Sequence, residues 1–341
     1  MITHIFSRRH GGHEGHGGAV PPIFILYLPL FTFFCLMFFS FSCTRYDSKH
    51  DGLLIAVSIP PQAWFVSQIA GDKAFPLILV PPGQNPHSYE PTPRQVQALT
   101  SAGAWILSGS EFEIALKPKI SSLFPNLVIV DGTQGVQFRQ LEDHDCEEEI
   151  NELHEYTRIE HTCFECTDPS SLLPSPFSLN IDTHTWLGRE PAKILAAHIK
   201  DTLCLIDNEN EEYYQERYEN LILEIDEVFD ELVIKLFPLK GKNVFVYHPS
   251  FGYFLDEFGI YQRAVETGGK EPGPRELNNL ITKIKEENAA AVFVQAQFPV
   301  SAVRSLAAAT GVELISLDPL ALEWLDNIRL MGQALYNLVN K

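Results

Sequence analysis

A chain of 341 residues, 45% of them hydrophobic, can bury more core than one small domain needs and is long enough for two lobes. Its formal net charge of −19 repels phosphate backbones, which excludes nucleic acid as a partner and suits a protein that attracts cations or, the commoner case, one that only needs solubility.

The first predicted element is a targeting segment. Arg8 and Arg9 stand in a polar, histidine-bearing stretch, and Ile23 to Phe41 is nearly unbroken apolar sequence. A basic start, an apolar run and small residues near its end read as a secretory signal. Ser42 followed by Cys43 fits lipid attachment at Cys43, although Ser40 stands where a lipoprotein signal usually has Leu. The run is also near the length of an uncleaved anchor helix. Either way the N-terminus tethers the chain to a membrane and the rest lies outside the cytoplasm, in a periplasm or on a cell surface. Residues 1–43 are therefore set aside from the fold. In that oxidising setting Cys146, Cys163, Cys166 and Cys204 allow three disulfide pairings, and a lone CxxC at Cys163–Cys166 is more often disulfide than zinc site.

From Asp51 the chain alternates short apolar runs with amphipathic stretches. Leu53–Val57, Leu77–Val80, Trp105–Leu107 and Leu127–Val130 read as buried parallel strands, with helical segments such as Gln62–Ile69 and Pro93–Ser101 between them. Arg139 to Asp168 breaks the pattern. It is dense in acid, poor in large apolar residues, and interleaved with His144, His154 and His161, which makes it an insertion outside the core, either a solvated linker or, as the interleaved histidines favour, an auxiliary, low-affinity metal collector. A helix is expected from Pro191 to about Leu205. A second, from about Glu211 to Leu236, keeps apolar residues at spacings of three and four (Tyr214, Tyr218, Leu221, Ile225, Val228, Phe229, Leu232). At about 1.5 Å per residue it is near 40 Å long, enough to span both lobes and limit their swing. Strand and helix alternate again in Val244–Tyr247, Pro274–Glu287, Ala291–Val294, Ser301–Thr310 and Glu313–Ser316. The fold class is α/β: two βαβ lobes joined by one long α-helix. The expected boundaries are an N-terminal lobe over 51–208, carrying the insertion 139–168, a linking helix over 209–238 and a C-terminal lobe over 239–341.

Three histidines recur in matching contexts, beyond a strand or in the loop before a helix. His87 lies in Pro81-Pro82-Gly83-Gln84-Asn85-Pro86-His87-Ser88-Tyr89-Glu90-Pro91, His184 in Asp182-Thr183-His184-Thr185-Trp186-Leu187, and His248 in Tyr247-His248-Pro249-Ser250-Phe251. Asp318, in Leu317-Asp318-Pro319-Leu320, follows a strand in the same way. Ligands of open α/β sheets bind beyond the carboxyl ends of strands, so these four groups point to a metal site in the inter-lobe cleft. Three imidazoles and a carboxylate suit tetrahedral Zn2+, while Mn2+ or Fe2+ can share such a set. Glu90 is a weaker ligand candidate.

With these motifs the chain resembles the zinc and manganese solute-binding proteins of bacterial ABC importers, the cluster A-I type, over nearly all of Asp51 to Lys341. The resemblance implies a monomer that holds metal at His87, His184, His248 and Asp318 and delivers it to an ABC transporter permease. It also implies zinc, because the third ligand of zinc binders is usually His, and a charged insertion is similar to the loop of zinc-specific members. Thr183, Gly188 and Gln295 depart from the family pattern, which puts the support of His184 and the polarity of the cleft in question. Rival readings are a zinc hydrolase, for which no HExxH helix or nucleophile elbow is present, and a surface adhesin on the same fold. A siderophore-binding module would want aromatic and Arg groups in the cleft. The expectation is a binding protein and not an enzyme.

Overall fold

The structure, a computed structural model, describes residues 52–141, 181–266, 273–287, 289, 291–295, 297 and 301–339. The first sheet is built from β1 (Leu53–Val57), β2 (Ala74–Ile78), β3 (Ala104–Leu107) and β4 (Val128–Asp131), in the order β2-β1-β3-β4 with every pair parallel. Helices α1 (Pro60–Ala70), α2 (Pro93–Ala98) and α3 (Glu111–Leu123) are the crossovers. Helices cover a parallel sheet on its faces, so its strands are apolar without alternation, and β3 (Ala-Trp-Ile-Leu) is buried throughout. Pro60 and Pro61 open α1, where a missing N–H costs nothing, and the Gln62 amide oxygen accepts the N–H groups of Ser58 and Ile59 at 2.9 and 3.2 Å.

Helices α4 (Arg189–Ile206) and α5 (Glu211–Leu236) lead to the second sheet. This sheet is β5 (Asn243–Val246), β6 (Tyr261–Ala264), β7 (Ala291–Val294) and β8 (Glu313–Ser316), ordered β6-β5-β7-β8 and again all parallel. Between its strands lie α6 (Gly252–Asp256), α7 (Pro274–Glu286) and α8 (Ser301–Thr310), and α9 (Trp324–Val339) closes the chain. The two sheets share one strand order, so each offers a row of carboxyl strand ends on which loop residues can be mounted.

Helix α5 is the 26-residue linker expected from the spacing of its apolar residues. It buries Tyr214, Leu221, Ile225, Val228, Phe229, Leu232 and Leu236 along one stripe and packs against α1, α4 and α9. Phe229 meets three rings of the second lobe, 6.5 Å from Trp324 and 6.4 and 6.2 Å from Phe254 and Phe258, and Trp324 in turn sits 4.8 Å from Phe65 of the first lobe. One core therefore runs through both lobes, from Val57 and Phe65 to Val246 and Phe254. Interiors of this density resist shear, so large separations of the lobes are costly.

Several elements differ from the sequence reading. Strand β2 begins at Ala74 and contains Pro76; Leu79 and Val80, expected inside it, lie beyond its end and continue its backbone bonding to Val57 and Ser58. A Pro demotes a strand in sequence but is tolerated here because β2 is an edge strand. Helix α3 escaped notice because Pro118 stands inside it. Strand β6 is a half-exposed edge with no apolar run, and α6 and α9 also went unread. Among the described residues no helix is long and apolar enough to cross a membrane.

Candidate metal centre

Each of the three histidines is held by its own local device. His87 sits in a 3-10 turn over Pro86–Ser88, whose start is capped by the Asn85 side chain accepting the His87 N–H at 3.0 Å. His184 follows Asp182, whose Oδ1 accepts the His184 backbone N–H at 2.9 Å. His248 lies two residues beyond β5, gripped on both backbone sides by Gln295: its N–H meets Oε1 at 3.2 Å and its carbonyl accepts Nε2 at 2.7 Å. Gln295 Nε2 also donates to Ser250 Oγ at 2.9 Å.

The three rings converge. His248 Nε2 lies 3.0 Å from His87 Nε2 and 3.2 Å from His184 Nε2. Among the described residues these three form the group whose potential ligand atoms all fall within 4.8 Å of one another. Zinc–nitrogen bonds of about 2.05 Å in a tetrahedron give an N···N edge of about 3.3 Å, so the observed separations are within a few tenths of an ångström of that figure. The cleft beside the rings leaves about 20 Å³, room for one ion or water.

Three carboxylates set the tautomers. Nδ1 of His87 lies 2.8 Å from Glu111 Oε2, Nδ1 of His184 lies 2.8 Å from Asp182 Oδ1, and Nδ1 of His248 lies 2.5 Å from Glu266 Oε1. A carboxylate facing Nδ1 accepts a hydrogen bond from Nδ1–H, which keeps the ring proton on Nδ1 and leaves the lone pair on Nε2. Facing lone pairs only 3.0 Å apart between His87 and His248 and 3.2 Å apart between His248 and His184 repel unless a cation lies between them. Burial, together with repulsion from His184 and His87, holds the His248 imidazole well below its ordinary pKa, which favours the lone-pair form a metal needs. Burial alone raises the pKa of Glu111 and Asp182, but the hydrogen bonds they accept from His87 and His184 outweigh it, and both carboxyls sit below their ordinary range. The Asp182 carboxylate is fully buried and also paired with Arg139, Nη1 to Oδ2, at 2.8 Å.

Asp318 stands two residues beyond β8, outside the converging group, with Oδ1 accepting from Gln297 Nε2 at 2.6 Å and from the Leu320 N–H at 2.9 Å. Gln297 Oε1 is buried without a partner on the wall of the same cleft. Glu90 is exposed and also outside the group. Thr183 is buried and lines the cleft, and Gly188 has a steric reason: a Cβ there would fall 2.9 Å from Tyr253 Cβ. Tyr253 in turn donates to the Asp182 carbonyl at 3.0 Å. Neither departure removes the support of His184. Cys43, Cys146, Cys163, Cys166, His144, His154 and His161 lie outside the described residues; Cys204, in α4, has no disulfide partner among the described residues.

Sequence reasoning missed Glu111, Glu266 and the orienting role of Asp182. Asp182 is legible two residues before His184, a spacing that lets an Asx side chain turn back on the chain. Glu111 and Glu266 carry no local signal, being 24 and 18 residues from their histidines.

Comparison with known proteins places the chain in a family. A family model described as ZnuA, zinc-uptake complex component A, periplasmic, matches residues 55–338. The chain belongs to the ZnuA family. The high-affinity zinc uptake system protein ZnuA of Yersinia pestis is 28% identical over 271 residues, covering 78% of this chain and 82% of that protein. A crystal structure of ZnuA superposes with a TM-score of 0.71 at 30% identity, covering 84% of this chain and 99% of that one. A ZnuA deletion mutant solved with zinc bound gives 0.70, also at 30% identity, covering 84% and 98%. Membership of the ZnuA family makes this a metal-binding solute-binding protein of a zinc-uptake type, with the two-lobed, helix-linked fold.

Proposed function

We propose that this protein captures Zn2+ outside the cytoplasm with His87, His184 and His248 and delivers it to the permease of an ABC importer. The observation that carries this reading is the convergence of three Nε2 atoms, each with a carboxylate on its Nδ1. Borderline-soft Zn2+ prefers such nitrogen donors, whereas the harder Mn2+ prefers more oxygen. The fourth position falls to a water, or to Asp318 once its carboxylate turns from Gln297 and Leu320 into the cavity it does not line here. The acidic segment with His144, His154 and His161 gathers metal at low affinity, and Cys43 carries a lipid that keeps the protein, a monomer, at the membrane.

A hydrolytic reading lacks a base. The carboxylates nearest the rings, Glu111, Asp182 and Glu266, are committed to Nδ1 atoms, and among the described residues no carboxylate lines the cavity itself. Family membership points the same way, to transport.

Calorimetric titration of the exported chain with zinc and with manganese tests the reading. One tight zinc site is expected, weakened by several kcal/mol in His87→Ala, His184→Ala or His248→Ala with circular dichroism unchanged. Asp318→Asn should weaken it much less. Undiminished zinc binding in the histidine variants would overturn the assignment.

A further inference from the structure

The three orienting carboxylates differ in how they are themselves held, and Asp182 is tied across the cleft. Arg139, eight residues beyond β4, spends Nη1 on Asp182 Oδ2 and Nε on Asp256 Oδ2, at 2.8 and 2.9 Å. Asp256 ends α6 in the second lobe. The opposite oxygen of Asp182 holds the His184 ring. A continuous path thus runs from the second lobe through Asp256, Arg139 and Asp182 to the imidazole.

Two further observations show that the path is built in. The Tyr253 hydroxyl accepts the Arg139 backbone N–H at 3.1 Å and donates to the Asp182 carbonyl, so α6 grips the same two residues by backbone as well. The guanidinium also lies where α6 has no side chain. A Cβ on Gly252 would fall 2.0 Å from Nη1, 2.3 Å from Cζ and 2.7 Å from Nε of Arg139, its three nearest atoms. Any residue but glycine at 252 displaces the guanidinium, whose flexible end can give way at little cost to the backbone.

We propose that Arg139 is a positioning residue for metal capture: seated on Gly252 and anchored to Asp256, it makes the placement of the His184 ring depend on the docking of α6 against the first lobe. The proposal rests on the zinc reading above. It assigns the planar fork of Arg a task that a single ammonium cannot match, since two carboxylates from different elements are bridged at once. Metal held by His184 and His248 is then retained while α6 stays docked and loosened when it lifts.

Zinc dissociation into excess chromogenic chelator, followed by stopped flow, tests this. Arg139→Gln and Gly252→Ala should each speed release by about ten-fold or more, the range seen when groups behind metal-bound histidines are lost. Asp256→Asn, which touches no ring, should act in the same direction by less. Gly252→Ala should add nothing in the Arg139→Gln background. Because Gly252→Ala keeps every charge and every ligand, it separates positioning from simple loss of a cation. Wild-type release rates in Gly252→Ala and Asp256→Asn, with only the melting temperature of the zinc-free protein lowered, would show a purely structural role and overturn the proposal. Effects of Arg139→Gln and Gly252→Ala that multiply in the double variant would overturn it as well. A wild-type chain that takes up no zinc would sink the zinc reading itself, a failure distinct from these.

Discussion

The Asp182 carboxylate takes two bonds from His184 with one oxygen, the ring Nδ1–H at 2.8 Å and the backbone N–H at 2.9 Å. Its side chain is fully buried, whereas Glu111 behind His87 is 33% exposed. Water can replace a lost partner at Glu111 but not at Asp182. Asp182→Asn should therefore cost zinc affinity about 10–100-fold and Glu111→Gln distinctly less, by competition titration with a chelator of known strength. The Asp182 carboxyl lies below its ordinary pKa, so its contribution to stability is present above the unfolded value and lost as pH falls through the folded one. Equal losses in the two variants would contradict the ordering by burial.

Glu113 titrates in the opposite sense. It lies in the first turn of α3, two residues past Glu111, and accepts the N–H groups of Ser108 and Gly109 at 2.7 and 2.9 Å. Burial nonetheless pushes its carboxyl up to about 7 from the ordinary 4.5. The folded chain then holds a proton that the unfolded chain releases, so stability falls as pH rises between those values, by up to about 1.4 kcal/mol per pH unit. Urea unfolding of the zinc-free protein and of Glu113→Gln at pH 5 and 7.5 should differ by this slope, since the opposing contribution of His248 is common to both.

Phe229 of the linking helix packs on three rings of the second lobe, one of which, Trp324, reaches Phe65 of the first. Phe229→Ala removes contacts with Trp324, Phe254 and Phe258 at once and should cost about 3–5 kcal/mol of folding stability. The zinc-free melting curve should remain a single transition shifted downward. Two separated transitions would mean that the lobes do not share a core.

Arg189, at the start of α4, pairs with Asp226 and Asp230 of α5 at 2.8 Å and reaches Glu257 of the second lobe at 3.6 Å. These acids are partly exposed, Asp230 by 69%, so solvent screens much of the attraction. Arg189→Gln should lose about 1 kcal/mol at low ionic strength and less in 1 M salt, measured by urea titration. A loss independent of salt would point to packing of the arginine stem instead.

Much of the fold was legible because its signals are local. Buried strands show as short apolar runs, and α5 shows as a spacing of three and four from Tyr214 to Leu232. The family motifs placed His87, His184 and His248 just beyond strands or before a helix. Where a local rule was broken the reading stopped, as at Pro76 inside the edge strand β2 and Pro118 inside α3. Which carboxylate stands behind each ring could not be read in the same way. Glu111 and Glu266 meet their histidines only because strand ends and helix starts, distant in sequence, are brought side by side. Arg139 meets Asp256 across 117 residues for the same reason. Periodicity records which face of an element avoids water, a property of neighbours along the chain. The pairing of charges across a cleft depends on how finished elements pack, and only the tertiary structure decides that.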